Sequence, residues 1–418
     1  MMWMQPWKLK EGFAIGLGLV LTGLMLQWSV GHVQWKLFAF PLNLLALVFL
    51  LLIIGVVYAL RSKVYAFRFL STYAAAVPAL CWAVFLTAIM GITRQVPTGH
   101  APVDVLGFTD MLSSWPFVLV YFWLVIQLGE LIVDRLFRFT WRDIPFYLNH
   151  LGLFIVMVSA TLGSADMQRL KLNINMETPE WRAVDDQGKV HELALAIQLK
   201  RFRIDEYPPK LMLINTKTGR EIPERKPYTL LVDSTFKGGD ILKWHFRILK
   251  RIKWAAPVMT RDTTNYVSWP SSGASCALLV RATKRQTDSK GHAQTLLRQG
   301  WVTCGSYLFP YQELKLDDKV TLVMPEREPE RFISRVEILT KSGKRIMTDI
   351  LVNQPFELEG WKIYQLDYNR QMGCWSDTSV LELVSDPWLP LVYTGIYMML
   401  AGALCMFIIA QKKRGTEK

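Results

Sequence analysis

The stretch FYLNHLGLFIVMVSATLGS, residues 146–164, has the length and composition of a membrane-spanning helix. A helix needs roughly 20 apolar residues to cross the hydrocarbon core of a bilayer. His150 lies inside this stretch, beside Asn149. An ionisable side chain at that depth is costly unless it faces protein, pairs with another group or binds something. His150 is therefore the first candidate for a functional residue.

Five further apolar stretches surround this one, which indicates a polytopic membrane protein. Half of the 418 residues are hydrophobic, more than an ordinary soluble core requires. We predict six transmembrane helices, with the first kept as an anchor because it is longer than the apolar part of a signal peptide. The predicted spans are 12–30, 37–60, 71–93, 115–133, 145–163 and 388–410.

The basic residues near the helix ends predict the orientation of the chain. Cytoplasmic loops keep Lys and Arg, whereas the loops 31–36 and 94–114 carry only Lys36 and Arg94. Both termini are therefore predicted to be cytoplasmic. The predicted inner segments contain the clusters Lys8 and Lys10; Arg61, Lys63 and Arg68; Arg135, Arg138 and Arg142; and Lys412, Lys413 and Arg414.

Between the fifth and sixth spans lies a long polar region that predicts a separate extracytoplasmic β-rich domain. Its runs are rich in β-branched and aromatic residues, as strands are. The segment KSGK, 341–344, predicts a hairpin, and the domain as a whole predicts two packed sheets or an open barrel. The predicted divisions are a membrane domain at 1–163, a β-rich domain at 164–387, and a closing helix with a basic tail at 388–418. The main predicted strands lie at 193–204, 210–216, 228–236, 243–254, 276–283, 319–325, 335–352 and 361–369.

Three of the five cysteines, Cys276, Cys304 and Cys374, fall in the predicted external domain. An oxidising compartment permits a disulfide there, although three thiols leave at least one unpaired. Cys276 with Cys304 is the first pair to test. The alternative, that these are small buried apolar side chains, stays open.

Several classes of chemistry are excluded by the sequence. The chain contains no Cys-x-x-Cys-His, so it does not hold a covalent c-type haem itself. It also lacks a P-loop, a His-Glu-x-x-His zinc helix and a Gly-x-Ser-x-Gly elbow. The net charge of +13 would suggest nucleic acid in a soluble protein, but the basic inner loops explain a good part of it, so we predict no nucleic-acid partner.

His150 allows two interpretations. Imidazole is a good axial ligand for haem iron. Alternatively, a neutral His150 is hydrogen-bonded within the helix bundle, for example to Asn149 or Glu130. Haem with two histidine ligands would need a second imidazole from another subunit, because no other histidine lies within a predicted span. The other histidines are His32, His100, His191, His245 and His292.

Four segments resemble the ResB/CcsB family of cytochrome c biogenesis proteins, known as System II. The resemblance covers roughly residues 145–410 and follows the order of segments typical of the family. The segments are NHLGLFIVMVSATLGSADMQRLKLNI, LALAIQLKRFRIDEYPPKLMLINT, LEGWKIYQLDYNRQ and SDPWLPLVYTGIYMMLAGAL.

The resemblance implies a specific role. Such proteins act with a CcsA/ResC partner to carry haem b across the bacterial cytoplasmic membrane and attach it to apocytochrome c, with the large domain periplasmic. His150 matches the membrane histidine that is thought to ligate haem iron in the family. The chain would then be a non-autonomous subunit of a holocytochrome c synthase. The alternative is a structural or sensory membrane protein whose outer β domain binds a ligand or subunit without haem.

Overall fold

The computed structural model describes residues 3–97, 100–260, 263–287 and 293–416, without the side chains of residues 286, 287, 293 and 409–416. The tail cations Lys412, Lys413 and Arg414, and His292, therefore lie outside the described side chains. The chain divides into two compact units, one formed by 1–169 with 384–418 and the other by 170–383. Each unit is described separately below.

The first unit is helical. Within the described residues, six helices are long and apolar enough to cross a membrane, as the sequence predicts. A short helix that the sequence did not predict, α3, connects the second and third of them. The helices are α1 Leu9–Val30, α2 Leu42–Leu60, α3 Tyr65–Leu70, α4 Tyr73–Ile92, α5 Trp115–Leu136, α6 Ile144–Gly163 and α7 Leu389–Thr416.

The helix α5 forms the centre of this unit. Half of its most apolar window is buried (50%), against 22% or less in the other five long helices. One core packs α5 against α2 and α6 through residues such as Ile54, Ile126 and Val158. Another packs it against α1 and α4 through residues such as Val20 and Leu86. Large apolar side chains such as Phe49 point outwards, and such surfaces are compatible with a multi-pass membrane protein.

Glycines allow α6 and α7 to pack closely. A Cβ atom added to Gly152 would lie 2.7 Å from the carbonyl oxygen of Gly395, and one added to Gly395 would lie 2.6 Å from the carbonyl oxygen of Gly152. A Cβ atom on Gly402 would meet the side chain of Asn149. Small residues at such positions let helix backbones approach each other, as in membrane helix pairs. The helix that carries His150 is thereby held against α7.

The second unit is β-rich, also as predicted. All eight predicted runs overlap described strands, although only Thr229–Leu231 of the predicted run 228–236 is a strand. The 341–344 segment turns between two antiparallel strands with Gly343 at a φ of +83°. The described strands are β1 Gln168–Asn175, β2 Glu180–Asp185, β3 Val190–Glu206, β4 Lys210–Asn215, β5 Thr229–Leu231, β6 Gly238–Ile241, β7 Trp244–Met259, β8 Thr264–Ser268, β9 Ser275–Thr287, β10 Ala293–Thr303, β11 Leu314–Lys315, β12 Val320–Val323, β13 Pro329–Thr340, β14 Arg345–Leu351, β15 Phe356–Leu358, β16 Trp361–Tyr368 and β17 Thr378–Ser385.

These strands form three sheets, whereas the sequence predicted two packed sheets or an open barrel. An eight-stranded sheet has the order β14-β13-β3-β2-β1-β17-β16-β15, so that the first and last strands of the unit are neighbours. A five-stranded sheet is built from five strands that are consecutive in sequence, β6 to β10. A four-stranded sheet has the order β11-β12-β4-β5. The eight-stranded sheet has one hydrophobic core, and the two smaller sheets share another. Two separate cores explain why a simple two-layer architecture was the wrong expectation.

Candidate functional site

The helix that carries His150 begins at a well-defined turn. Thr140 caps the short turn Trp141–Asp143. Its backbone N–H and its hydroxyl both donate hydrogen bonds to the carboxylate of Asp143. Pro145 occupies the first turn of α6, where a missing N–H costs nothing. His150 therefore lies six residues after the start of α6, about 9 Å along the helix.

His150 is held by one residue, Phe146, in two ways. Its Nδ1 lies 3.0 Å from the carbonyl oxygen of Phe146, one turn earlier. The imidazole also stacks on the Phe146 ring, with 4.0 Å between ring centroids and 23° between the planes. The hydrogen bond and the stack together fix the orientation of the imidazole.

This hydrogen bond also determines which nitrogen of His150 is free to bind a ligand. A carbonyl oxygen only accepts, so Nδ1 carries the proton and Nε2 of the neutral ring carries the lone pair. Among the described residues, none forms a hydrogen bond with Nε2. Histidines that bind metals typically donate their other N–H to a carbonyl or carboxylate in this way.

The alternative interpretation of His150 is met in part, because the imidazole is hydrogen-bonded within the helical unit, to the carbonyl of Phe146 rather than to Asn149 or Glu130. The side chain of Asn149 donates to the carbonyl oxygen of Pro145 at 2.7 Å, not to His150. Within the described part of the chain, Glu130 has no hydrogen-bond partner for either carboxylate oxygen. Neither Asn149 nor Glu130 therefore forms a hydrogen bond with His150 in the described structure.

A positive charge also lies against the ring of Phe146. The guanidinium carbon of Arg135 is 4.8 Å from the centroid of the Phe146 ring. Arg135 also pairs with Asp143 at 2.8 Å, and its side chain is 49% exposed. A cation, an aromatic ring and an imidazole are thus grouped at the same end of the helix pair α5 and α6.

A buried polar stripe on α5 is a second candidate site, which the sequence analysis did not identify. Trp123, Gln127 and Glu130 each keep a buried polar atom without a hydrogen-bond partner in the described structure. Their spacing of four and then three residues places them on one face of the helix. Glu130 is completely buried. That spacing is visible in the sequence, but the direction in which the face points is not.

The β-rich unit contains an open cleft, which is the third candidate site. Its larger part has a volume of about 620 Å³ and is lined by basic and aromatic side chains, including Arg201, Lys253 and Phe202. Trp254 and Trp375 meet edge to face in its wall, 5.1 Å apart. An adjoining part of about 310 Å³ is lined by all three cysteines of this unit.

One ion pair lies where the two parts of the cleft meet. Arg327 Nη1 is 2.7 Å from Glu206 Oε2, and both side chains are at least 80% covered. Burial raises the pKa of Glu206, and the charge of Arg327 only partly offsets this effect. Such shifted carboxyl groups often occur in functional clefts.

Two of the other histidines, His191 and His245, each contact a nearby carboxylate. His191 Nε2 lies 2.9 Å from Asp185, and His245 Nδ1 lies 2.7 Å from the exposed carboxylate of Asp240. Within the described residues, no group of three or more His, Cys, Asp or Glu side chains could hold a metal ion. A metal held by His150 would therefore need ligands from outside this part of the chain.

The chain matches no model of a known protein family and no curated protein sequence. The resemblance to cytochrome c biogenesis proteins therefore rests on the order of its segments and on the motifs quoted above.

Proposed function

We propose that this chain is a membrane subunit of a System II cytochrome c synthase, which carries haem b across the bacterial cytoplasmic membrane with a CcsA/ResC-like partner. Both termini would be cytoplasmic and the β-rich unit periplasmic. There it would support attachment of haem to the Cys-x-x-Cys-His thiols of apocytochrome c. Haem is the cargo in this proposal, and the chain is not an enzyme on its own.

The main support for the proposal is the Nε2 nitrogen of His150, which has no hydrogen-bond partner among the described residues. A membrane-length helix presents an imidazole whose Nδ1 donates to the Phe146 carbonyl and whose Nε2 has no partner among the described residues. Haem iron binds such a nitrogen well. An imidazole in a membrane-length helix is costly unless it pairs or binds a ligand, and only Nδ1 of His150 has a hydrogen-bond partner among the described residues.

The surroundings of His150 suit the rest of a haem molecule. Phe146 offers an aromatic surface beside the imidazole, and Arg135 offers a positive charge for a propionate. The side chain of Arg135 is half exposed and pairs with Asp143, so a propionate would share or replace this partner. A second axial ligand is expected from the partner subunit, since no second histidine lies in the long helices of this chain.

Absorption spectra of the complex test the proposal. The chain is purified with and without a coexpressed CcsA/ResC-like partner. We expect a haem spectrum with the complex, its loss in His150→Gly, and partial recovery when imidazole is added. His100→Gly is the matched control, because His100 lies exposed in a loop, and it should keep the spectrum. A His150→Gly complex with full haem content would overturn the proposal.

A second candidate function is favoured by the cleft of the β-rich unit. A volume of about 620 Å³ suits a small ligand or a peptide segment. The lining has four basic side chains against two acidic ones, Asp205 and Glu206, so its net charge favours an anionic ligand. The protein would then be a structural or sensory membrane protein that binds a ligand or subunit without haem. A complex without haem, together with cytochrome maturation that survives His150→Gly, would favour this function over the synthase.

A further inference from the structure

The three cysteines of the β-rich unit converge on one part of the cleft. Cys276 lies in β9, Cys304 follows β10 directly, and Cys374 lies in the short turn Gly373–Trp375. All three line the part of about 310 Å³. They are more than 25 residues apart in sequence, so the fold alone brings them together.

Two of them, Cys276 and Cys304, lie at the same end of the neighbouring strands β9 and β10. The antiparallel strands β9 and β10 pair Thr303 with Ala277. Continuing this register by one residue beyond the last observed pair would place Cys304 opposite Cys276. Residues opposite each other in an antiparallel pair point to the same face, with Cα atoms about 4.5–5.5 Å apart. A disulfide requires a Cα separation of about 4.4–6.8 Å, so this position meets the requirement.

The local contacts agree with this pairing. Ser275 and Thr303, which flank the two cysteines, approach within 2.9 Å through their hydroxyl groups. Cys276 belongs to the core shared by the two smaller sheets, and Cys304 packs against the same core. Cys276 is also among the groups that raise the pKa of Cys304. Cys374 lies apart from this strand pair, in the turn Gly373–Trp375.

We propose that Cys276 and Cys304 are a redox-active pair that forms a cross-strand disulfide when the cleft meets a disulfide-bearing oxidant. The inference does not depend on haem binding. Its co-reactant is a small disulfide or an oxidised dithiol protein, and a dithiol reductant reverses the reaction.

The difference in exposure between the two cysteines determines which of them reacts first with the oxidant. Cys304 is partly exposed on the cleft, whereas Cys276 is only 6% exposed. The Cys304 thiolate attacks the oxidant, whose disulfide breaks and releases one thiol. Cys276, after losing its proton, then attacks Cys304 sulfur and displaces the second thiol. Two protein thiols are oxidised and one external disulfide is reduced, so atoms and electrons balance.

The new bond would fix one wall of the cleft. The segment after Cys304 turns at Gly305, with a φ of +74°, and both residues line the same part of the cleft as Trp375. A disulfide would tie the start of this segment to β9. Oxidation would therefore restrict the loop that borders the cleft.

Thiol counting on the full-length protein in detergent tests the proposal. The protein is equilibrated in buffers from fully reduced to oxidised glutathione, quenched with acid and denatured, and its free thiols are labelled with a maleimide polymer. We expect two of the five thiols to disappear together. Peptide mass mapping of the same sample should find a cross-link that joins Cys276 to Cys304.

Three variants make the result specific. Cys276→Ser and Cys304→Ser should each abolish the paired loss of thiols. Cys374→Ser is the matched control, because Cys374 lines the same cleft, and it should keep the loss. Five free thiols at every potential, or a cross-link that contains Cys374, would overturn the proposal. The peptide map of the unaltered protein decides the matter even if a variant fails to fold.

Discussion

Phe146 holds His150 through both its backbone and its ring: its carbonyl oxygen accepts the Nδ1 proton at 3.0 Å, and its ring stacks on the imidazole at 4.0 Å. The two contacts can be separated by mutation, because only the stack depends on the side chain. The relative contribution of each to ligand binding at Nε2 is therefore measurable.

Phe146→Leu should weaken haem binding without abolishing it. The substitution keeps the carbonyl and removes a stack that contributes about 0.5–1.5 kcal/mol. Roughly two- to tenfold weaker binding follows if the stack is needed to orient the ring. The measurement is haem absorbance per protein in the complex with the partner. Phe122→Leu, at an exposed position of α5, is the control and should bind normally. Unchanged binding in Phe146→Leu would assign the orientation to the hydrogen bond alone.

Gly395→Ala should destabilise the helical unit. The added Cβ atom would lie 2.6 Å from the carbonyl oxygen of Gly152, which cannot move aside as a side chain can. Such overpacking costs about 1–3 kcal/mol. Gly55→Ala is the control, since nothing lies within 4 Å of its added Cβ atom and alanine favours the helix. Thermal unfolding in detergent should show a lower Tm for Gly395→Ala and an equal or higher Tm for Gly55→Ala.

The helices could be predicted from sequence because hydropathy is a local property. The predicted spans agree with the observed helices within a few residues at most ends; α2 begins five residues later than predicted, at Leu42. Which side of α5 faces inwards depends on four other helices. The burial of Glu130 was therefore not predictable, even though its position in the helix was.

The sheets were harder to predict because strand pairing joins distant residues. The eight predicted runs overlap nine of the seventeen described strands and miss the other eight. One of the missed strands is β10, which precedes Cys304, and its partner β9 was only partly found. Sequence reasoning could suggest Cys276 with Cys304 as the pair to test. Only the register of β9 and β10 gives a physical reason for that choice.

Asp166 is expected to hold three parts of the helical unit together. Its carboxylate accepts hydrogen bonds from the Phe40 N–H at 2.7 Å, the Asn43 amide at 2.6 Å and the Trp388 indole at 2.7 Å. Burial alone would raise the pKa of Asp166, but these hydrogen bonds outweigh it and lower the pKa. The resulting stability is present above the unfolded pKa near 4 and is lost as the pH falls through the lower folded value.

Asp166→Ala should therefore lower the free energy of unfolding by about 1–3 kcal/mol, since three donors lose their acceptor. Trp388→Phe removes only one of the three and should cost less. Unfolding in detergent at pH 7 and at pH 3 measures both effects. The difference between Asp166→Ala and the unaltered protein should shrink at the lower pH, and a constant difference would contradict this account.

Glu130→Leu should not lower the stability of the protein, so a loss of activity in this variant would come from the lost carboxyl group. Both carboxylate oxygens are buried without a hydrogen-bond partner in the described structure, and a buried polar group in this state costs about 1–3 kcal/mol. Leucine removes that cost, so the Tm should stay equal or rise. Asp134→Leu is the contrasting variant, because Asp134 pairs with Arg61, and it should not stabilise the protein. Lower cytochrome maturation in a Glu130→Leu variant that is at least as stable would assign the buried carboxyl group a role in function.

Cys304 should react slowly with alkylating reagents at neutral pH. Burial, followed by the neighbouring Cys276 and Glu206, raises the pKa of Cys304 to about 11. Only the thiolate reacts, so at pH 8 alkylation should be roughly two hundredfold slower than for a free cysteine with a pKa of about 8.5. The rate should rise about tenfold per pH unit up to pH 11, whereas N-acetylcysteine in the same solution levels off near pH 9. The unfolded chain loses this proton first, so the free energy of unfolding should also fall between about pH 8.5 and 11.

Mass spectrometry that resolves individual peptides measures the rates, and Cys276→Ser should shift the Cys304 profile to lower pH. A Cys304 profile that coincides with N-acetylcysteine would contradict both the burial of this thiol and its proximity to Cys276.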